Sequence, residues 1–375
     1  MLSSFSPVRI LHTEPDTQCS KTDIIESTID AGLQNVETTH IPAPETSRTK
    51  ISRLIHYYRN DVPRSTRESL SHHLSDIKGL QVESLDLAFL SKAFVDKRIP
   101  IILDEHNVYW NMLKYGIFDS PFFRGAIGRT SVAKGTLGPW LLNRAKRFEI
   151  GTIENADHVL ATSDVDAENI AEEIPSARDK MTVIPNCVDV QSYTLGRESS
   201  GDVGSRRVVF VGRLDYEANL DAVRTICRDL APNFDMTIRF QIVGGPVPSM
   251  SGCPGNVEFL GIVPDIRPIL EQADVCIAPL RFGSGTRIKI IEYLAMGKPV
   301  VTTPIGCEGL EVENERNIMV VGDFHDQARQ IENILEDGRL AADLGREARK
   351  LAEEKYDWRV YTSRLRSVYE SVGAI

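Results

Sequence analysis

Residues 281–310 read RFGSGTRIKIIEYLAMGKPVVTTPIGCEGL. Before them, ADVCIAPL (273–280) is a short apolar run. The pattern predicts a strand ending at Leu280, a turn holding Gly283, Ser284 and Gly285, and an amphipathic helix from near Thr286 that Gly297 stops. KPVVTTP (298–304) returns as a strand. Strand, glycine-rich turn, helix and strand form the repeating unit of a parallel sheet, whose ligands bind outside the carboxyl ends of the strands. A glycine-rich turn entering a helix offers free backbone N–H groups and the positive end of the helix dipole, which suit a diphosphate. Arg287 and Lys289, in the first turn, oppose that dipole. An anionic ligand removes the conflict. Glu292, one to two turns on, is placed to accept hydrogen bonds from both hydroxyls of a ribose. Taken singly, each residue has a plainer explanation: Glu292 paired with Lys289 at i,i+3, and Arg287 a solvated charge.

The same alternation extends in both directions. RRVVFVGRLD (206–215) predicts a buried strand closing on Gly212, followed by a helix over NLDAVRTICRDLA (219–231). IRFQIVGG (238–245) and NVEFLG (256–261) are further strands, 324–353 is helical, and YDWRVYTSRLRSVYESV (356–372) is a closing amphipathic helix. In the first half, VRILHT (8–13), IPIILDEHNVY (99–109), HVLATS (158–163) and MTVIPN (181–186) read as strands. DTQCSKTDIIESTIDAGL reads as loop and helix ending at Gly32, and DVDAENIAEEI (164–174) as a helix capped by Ser163 or Asp164. SYTLGRESSGDVGSRR, poor in apolar residues, reads as a linker. The expected organisation is α/β: an N-terminal domain over 1–192, a linker over 193–206, a second domain over 207–355 and a C-terminal helix over 356–375.

With 375 residues the chain is long enough for two ordinary cores. Its net charge of −10 argues against general nucleic-acid binding. Arg outnumbers Lys by 30 to 13, a bias shared by salt-adapted proteins and GC-rich genomes. The six cysteines form no CxxC pair and lie in apolar stretches, so a reduced, intracellular chain without zinc or disulfides is expected. MLSSFSPVRIL lacks the features of a signal peptide, and no window of about 20 apolar residues predicts a membrane span.

The segment GTRIKIIEYLAMGKPVVTTPIGCEGL resembles the donor site of glycosyltransferase family 4, the retaining sugar transferases of GT-B fold. VIPNCVD (183–189), VVFVGRLDYEANLDAV (208–223), NVEFLGIVPDI (256–266) and YDW (356–358) resemble further parts of that family in the same order. The resemblance covers roughly residues 100–375. It implies two Rossmann-like, doubly wound domains facing a central cleft, with the donor on the C-terminal domain and the acceptor on the N-terminal one. By position it places Gly212 and Arg213 at the donor phosphates, Val263 beside the base, Ser284, Gly285 and Thr286 around the diphosphate, and Glu292 at the ribose. Three positions depart from the family pattern. Ala218 stands where a lysine is common, a gap Arg287 or Lys289 would fill. Ser284 replaces the first of two glutamates eight apart, near the donor sugar. HTEPDTQCS lacks the Gly-Gly loop after the first strand. A subgroup with a GSGTRxK-type loop shares the first two.

DEHNVYW (104–110) is the N-terminal counterpart. Asp104, Glu105, His106 and Asn107 follow a buried strand and are expected to point into the cleft on the acceptor side. In related mannosyltransferases a histidine at a similar place contacts the donor sugar or helps position the acceptor; otherwise His106 and Asn107 only make the turn. Asp164-Val165-Asp166 is a DxD, read here as helix capping, so no metal is expected. No separate cofactor is implied; leaving-group charge would fall to Arg213, Arg287, Lys289 and backbone amides. Residues 120–148 hold no acid, but include Arg124, Arg129, Lys134, Arg144, Lys146 and Arg147 among Phe122, Phe123, Trp140, Leu141, Leu142 and Phe148. That composition suits either an anionic membrane surface or a packed helix pair with basic flanks.

The resulting expectation is a retaining hexosyltransferase, cytoplasmic or peripheral at the cytoplasmic membrane face, that uses a UDP- or GDP-sugar. Its acceptor would be a growing, lipid-linked surface glycan or a glycoprotein glycan. A nucleotide-sugar epimerase of the same fold and a degenerate, partner-binding subunit are the alternatives.

Overall fold

The two strands with the least polar sequence are also the most deeply enclosed. VCIA (β10, Val275–Ala278) and VVT (β11, Val300–Thr302) are buried at every position, as expected of central parallel strands covered on both faces. They lie in a six-stranded sheet with β7 (Arg206–Val211), β8 (Ile238–Val243), β9 (Val257–Gly261) and β12 (Met319–Val320). The order is β12-β11-β10-β7-β8-β9, and each paired neighbour is parallel. The chain thus starts in the middle at β7, builds outward to β9, then returns to β10 and builds the other way. This is the doubly wound order, and its switch point lies between β7 and β10.

The structure, a computed structural model, describes residues 8–13, 36–41, 78–83, 99–108, 110, 138–194, 206–250, 252–283 and 285–375. Within them β1 (Val8–Thr13) pairs with β2 (Val36–Ile41), and β3 (Leu80–Glu83), β4 (Ile101–Glu105), β5 (His158–Ala161) and β6 (Met181–Val183) form a second parallel sheet in chain order. The helix expected over residues 16–33 lies outside the described residues. Helices α1 (Gly138–Asn155) and α2 (Asp164–Glu173) belong to this half. Ser163 caps α2, its hydroxyl oxygen accepting from the Asp166 N–H at 3.0 Å, while the Asp166 carboxylate accepts from Ser163 and Thr162. The Thr162 and Ser163 hydroxyls and the Asp166 N–H at this helix start thus all have partners.

The chain divides into two compact units. The first holds β1–β6, α1, α2 and residues 361–375; the second includes 185–360. The division falls after Ile184, ahead of the linker expected over 193–206. The physical reason is that Val190 and Tyr193 are buried in the second unit's core, so PNCVDVQSY belongs to that core. The final helix α8 (Thr362–Ser371) packs Leu365, Val368 and Tyr369 against Ile102 and Leu160 of the first unit.

In the second unit α3 (Glu217–Thr225) follows β7, α4 (Arg267–Glu271) follows β9, and α5 (Ile288–Ala295) lies between β10 and β11. Ile290, Ile291, Tyr293 and Leu294 on α5 are wholly buried, each aliphatic one worth roughly 1.5–3 kcal/mol. The Tyr293 hydroxyl accepts from the Val211 N–H at 2.8 Å, tying α5 to the end of β7. Residues 324–351 form two helices, α6 (Phe324–Glu336) and α7 (Gly338–Leu351), not one. Asp337 ends the first and caps the second, accepting from the Arg339 and Leu340 N–H groups.

The cysteine expectation needs correction. Cys227 and Cys253 form a disulfide between the end of the α3 segment and the approach to β9. They are 26 residues apart, so no local spacing reveals the pair. Cys187, Cys276 and Cys307 are free.

Candidate functional site

At the switch point, the turn after β7 and the loop after β10 leave adjacent strands from the same edge. In the first turn Gly212 follows β7, and the Arg213 guanidinium is highly exposed, held by the Asp215 carboxylate at 2.6 and 3.1 Å. The Asn219 amide donates to the Arg213 carbonyl at 2.8 Å, which fixes the turn against α3. In the second loop Arg281 makes a two-pronged ion pair with Asp221 of α3. Gly283 and Gly285 have φ of 126° and 77°, a region open to glycine and strained for other residues. Ser284 lies outside the described residues.

The two cations after this loop do not stand free in solvent, as first-turn charges otherwise would. Arg287 is the N-cap residue of α5 and is buried; its Nη1 donates to the Gly285 carbonyl at 2.6 Å, closing the loop on itself. The helix begins at Ile288, two residues later than the sequence suggests. Lys289 turns back to the β7 turn. Its Nζ donates to the Asn219 side-chain oxygen at 2.6 Å and lies 4.3 Å from the Phe210 ring centroid. Glu292 pairs with neither cation, but accepts from the Tyr193 hydroxyl at 3.1 Å. Burial raises the Glu292 carboxyl pKa, against the lowering effect of that hydrogen bond. Thr286 accepts from the Asn186 amide at 2.5 Å. Val263 is half-buried, packed at the edge of the core beside the exposed Ile262. The structure thus groups Gly212, Gly285, Thr286, Arg287, Lys289 and Glu292 around the carboxyl ends of β7 and β10. Sequence reasoning missed Asn186, Tyr193 and Asn219, which hold three of them in place. The PN of PNCVD is the only local hint.

The DEHN cluster belongs to the first unit. Strand alternation separates its two acids. Asp104 and His106 lie on one side, whereas Glu105 is fully buried. This corrects the expectation that Glu105 points to a ligand: its side chain faces the interior of its own unit. A residue not singled out from sequence, Glu83 at the end of β3, joins the other two. His106 Nε2 lies 3.1 Å from Glu83 and 3.6 Å from Asp104. Gln81 donates to both carboxylates, and the Tyr369 hydroxyl donates to Gln81. The ligand atoms of Glu83, Asp104 and His106 all lie within 4.8 Å of one another. A hydrogen bond joins His106 to Glu83, and Gln81 bridges the two carboxylates. Asn107 is half-buried next to them.

Burial, with the nearby Glu83 charge, pushes the Asp104 carboxyl up to about 7, while His106 works in the lowering direction. The hydrogen bond that His106 donates to Glu83 raises the imidazole above its ordinary value. Folded Asp104 therefore keeps a proton that the unfolded chain has lost, and its contribution to stability falls as pH rises from about 4 to about 7. The His106 contribution is present below its ordinary pKa and is lost as pH rises through the higher folded value. Asp104→Asn should flatten the fall in urea stability between pH 4 and 7; an unchanged slope would show that Asp104 ionises normally.

Asp166 of the DxD serves the start of α2 as described above, and Asp164 is an acid in the first turn of that helix. Of the 120–148 segment, residues 120–137 lie outside the described residues. On α1, Trp140, Arg144 and Arg147 are exposed, with Arg144 over the Trp140 ring at 5.7 Å, whereas Ala145, Glu149 and Ile153 are buried. Lys146 pairs with Glu173 at 2.7 Å. Among the described residues no helix is long and apolar enough to cross a membrane.

Comparison with known proteins agrees with this geometry. Residues 43–192 match the family described as Glycosyltransferase Family 4, and residues 205–337 match Glycosyl transferases group 1. The chain carries the domains of these two glycosyltransferase families. It is 29% identical to the phosphatidyl-myo-inositol mannosyltransferase of Mycobacterium tuberculosis over 211 residues, 51% of this chain and 54% of that protein. It is 23% identical to spore coat protein SA of Bacillus subtilis over 250 residues, 58% of this chain and 66% of that protein. The alignments thus span between about half and two thirds of these relatives. The solved structure of Anabaena HepE in complex with UDP and glucose superposes with a TM-score of 0.66 at 15% identity, covering 98% of this chain and 100% of that one. At that identity the likeness speaks for the fold: GT-B, with two Rossmann-like domains.

Proposed function

We propose that this chain transfers a hexosyl unit, with retention of configuration, from a UDP- or GDP-sugar to a growing, lipid-linked surface glycan or a glycoprotein glycan. The observation that carries the reading is the convergence at the β7–β10 switch point of glycine-turn amides, Lys289 and Glu292. The amides of Gly285 and Thr286 face the diphosphate, Lys289 and Arg213 offset its charge, and Glu292 accepts from the ribose hydroxyls. Arg287 supports the amides through the Gly285 carbonyl. That Anabaena HepE is solved with UDP and glucose supports a nucleotide-sugar donor.

In the transfer, the bond between the sugar C1 and the diphosphate oxygen breaks as the acceptor oxygen bonds C1 from the same face. The departing phosphate oxygen takes the acceptor proton. Lys289, Arg213 and the turn amides stabilise the negative charge gathering on the leaving group. His106, hydrogen-bonded to Glu83, is the first unit's acceptor-side residue. The exposed Trp140, Arg144 and Arg147 face of α1, and the phosphatidyl-myo-inositol named for one relative, support an acceptor held at an anionic membrane surface.

Released nucleoside diphosphate, measured with a panel of UDP- and GDP-sugars, tests the reading. Acceptors are supplied in solution or in anionic liposomes. Release that depends on acceptor and rises with liposomes is expected. Sugar isomerisation without release would identify an epimerase, and failure to bind any nucleotide-sugar would leave a partner-binding subunit.

A further inference from the structure

Lys289 is placed unlike an ordinary surface cation. The residue is half-buried, its ammonium set against the Phe210 ring and the backbone of Gly212, where an added Cβ would lie 2.8 Å from Nζ. Its one side-chain hydrogen bond is to a neutral acceptor, Asn219 Oδ1 at 2.6 Å. No carboxylate among the described residues lies within ion-pair distance of it. Three groups charge its surroundings. Arg287, two residues before it, repels a proton. Glu292, one turn on, attracts one but is engaged by Tyr193. Arg213, at the turn facing it, is engaged by Asp215. Ala218 on α3 is buried in the apolar core and brings no charge. An ammonium has three donors, and only one is used here.

We propose that Lys289 is a proton-linked ligand of the donor diphosphate: the anion binds at the β7 turn together with a proton taken up by the Lys289 amine, so that solution pH governs donor affinity. The inference rests on the donor site proposed above and adds how that site is regulated. An ammonium taken from water and left without an anionic partner is disfavoured, and the group sheds its proton. In this protein burial, reinforced by Arg287, brings Lys289 down to about 7. A diphosphate beside Nζ supplies the missing counter-charge and restores the proton. Asn219 can serve both forms, because its oxygen accepts from amine and ammonium alike.

Isothermal titration of UDP-glucose and GDP-mannose, in buffers of different ionisation heat at pH 6, 7 and 8.5, counts the proton directly. These sugar diphosphates do not themselves titrate in that range. For whichever donor binds, proton uptake should rise from near zero at pH 6, through about one half at pH 7, toward one at pH 8.5. Affinity should weaken by up to about tenfold per pH unit above 7. Lys289→Met should abolish the uptake and flatten that profile, while weakening binding at pH 6 by about tenfold or more. Should the variant fold poorly, the proton count on the unaltered protein decides alone. Binding with no proton uptake and no pH dependence overturns the linkage while leaving the donor site standing. Absence of binding by any nucleotide-sugar at any pH overturns the donor site and the linkage with it.

Discussion

Replacing Glu292 with Ala is expected to weaken donor binding by about 10²-fold or more while the protein stays folded. A carboxylate that accepts from two ribose hydroxyls makes two charge-assisted hydrogen bonds, each worth about 1.5–3 kcal/mol. Glu292 is half-buried on α5, and its carboxylate accepts from the Tyr193 hydroxyl. Removing it leaves that hydroxyl without its acceptor, a change of about 1 kcal/mol in stability. Glu292→Gln keeps one acceptor oxygen and should lose less. Titration with a nucleotide-sugar, alongside a thermal melt, separates binding from folding. Unchanged affinity for the Ala variant would remove Glu292 from the ribose and point to a different orientation of the donor.

The largest effect on stability is expected at Gly244. Its φ is 126°, and an added Cβ would run into the Gly212 carbonyl, with the carbonyl carbon at 2.8 Å. The Gly244 N–H donates to Gly261 at 2.7 Å, and the neighbouring Gly245 carbonyl accepts from Leu214 at 2.8 Å. The turns after β7, β8 and β9 are therefore locked together at this one point. Gly244→Ala combines a disfavoured backbone conformation, about 1–2 kcal/mol, with backbone overlap of about 1–3 kcal/mol. Together these predict roughly 3–4 kcal/mol of destabilisation and a melting point lower by about 10 °C. Because Gly212 carries the turn on which Lys289 rests, donor affinity should fall as well. A variant that melts like the native protein would show that the three turns move independently.

Much of the second unit is readable from local pattern. The strands around 208–211, 238–243, 257–261, 275–278 and 300–302 are apolar runs bounded by polar or glycine turns, and each forms near its expected limits. Gly297, at φ 65°, stops α5 where the sequence places the stop. Errors concentrate where two local signals are alike. A continuous helical pattern over 324–353 hides the Asp337 cap, because a capping aspartate also fits an exposed helix face. The SYTLGRESSG stretch draws the boundary to itself by composition, although Val190 just before it and Tyr193 within it are already core residues.

Local sequence determined which segments became strands and helices, and that a glycine turn with two cations and a carboxylate would follow β10. These are short-range matters of periodicity, φ preference and spacing. Tertiary structure alone decided what those side chains meet. Lys289 finds Asn219 at a separation of 70 residues, Glu292 finds Tyr193 at 99, and Thr286 finds Asn186 at 100. Glu83 joins His106, Cys227 joins Cys253, and Glu105 turns inward, for the same reason. Which residues become neighbours depends on strand order and on the face each strand presents. A parallel sheet that starts at β7 and reverses at β10 brings distant segments to one edge, and no spacing along the chain records that order.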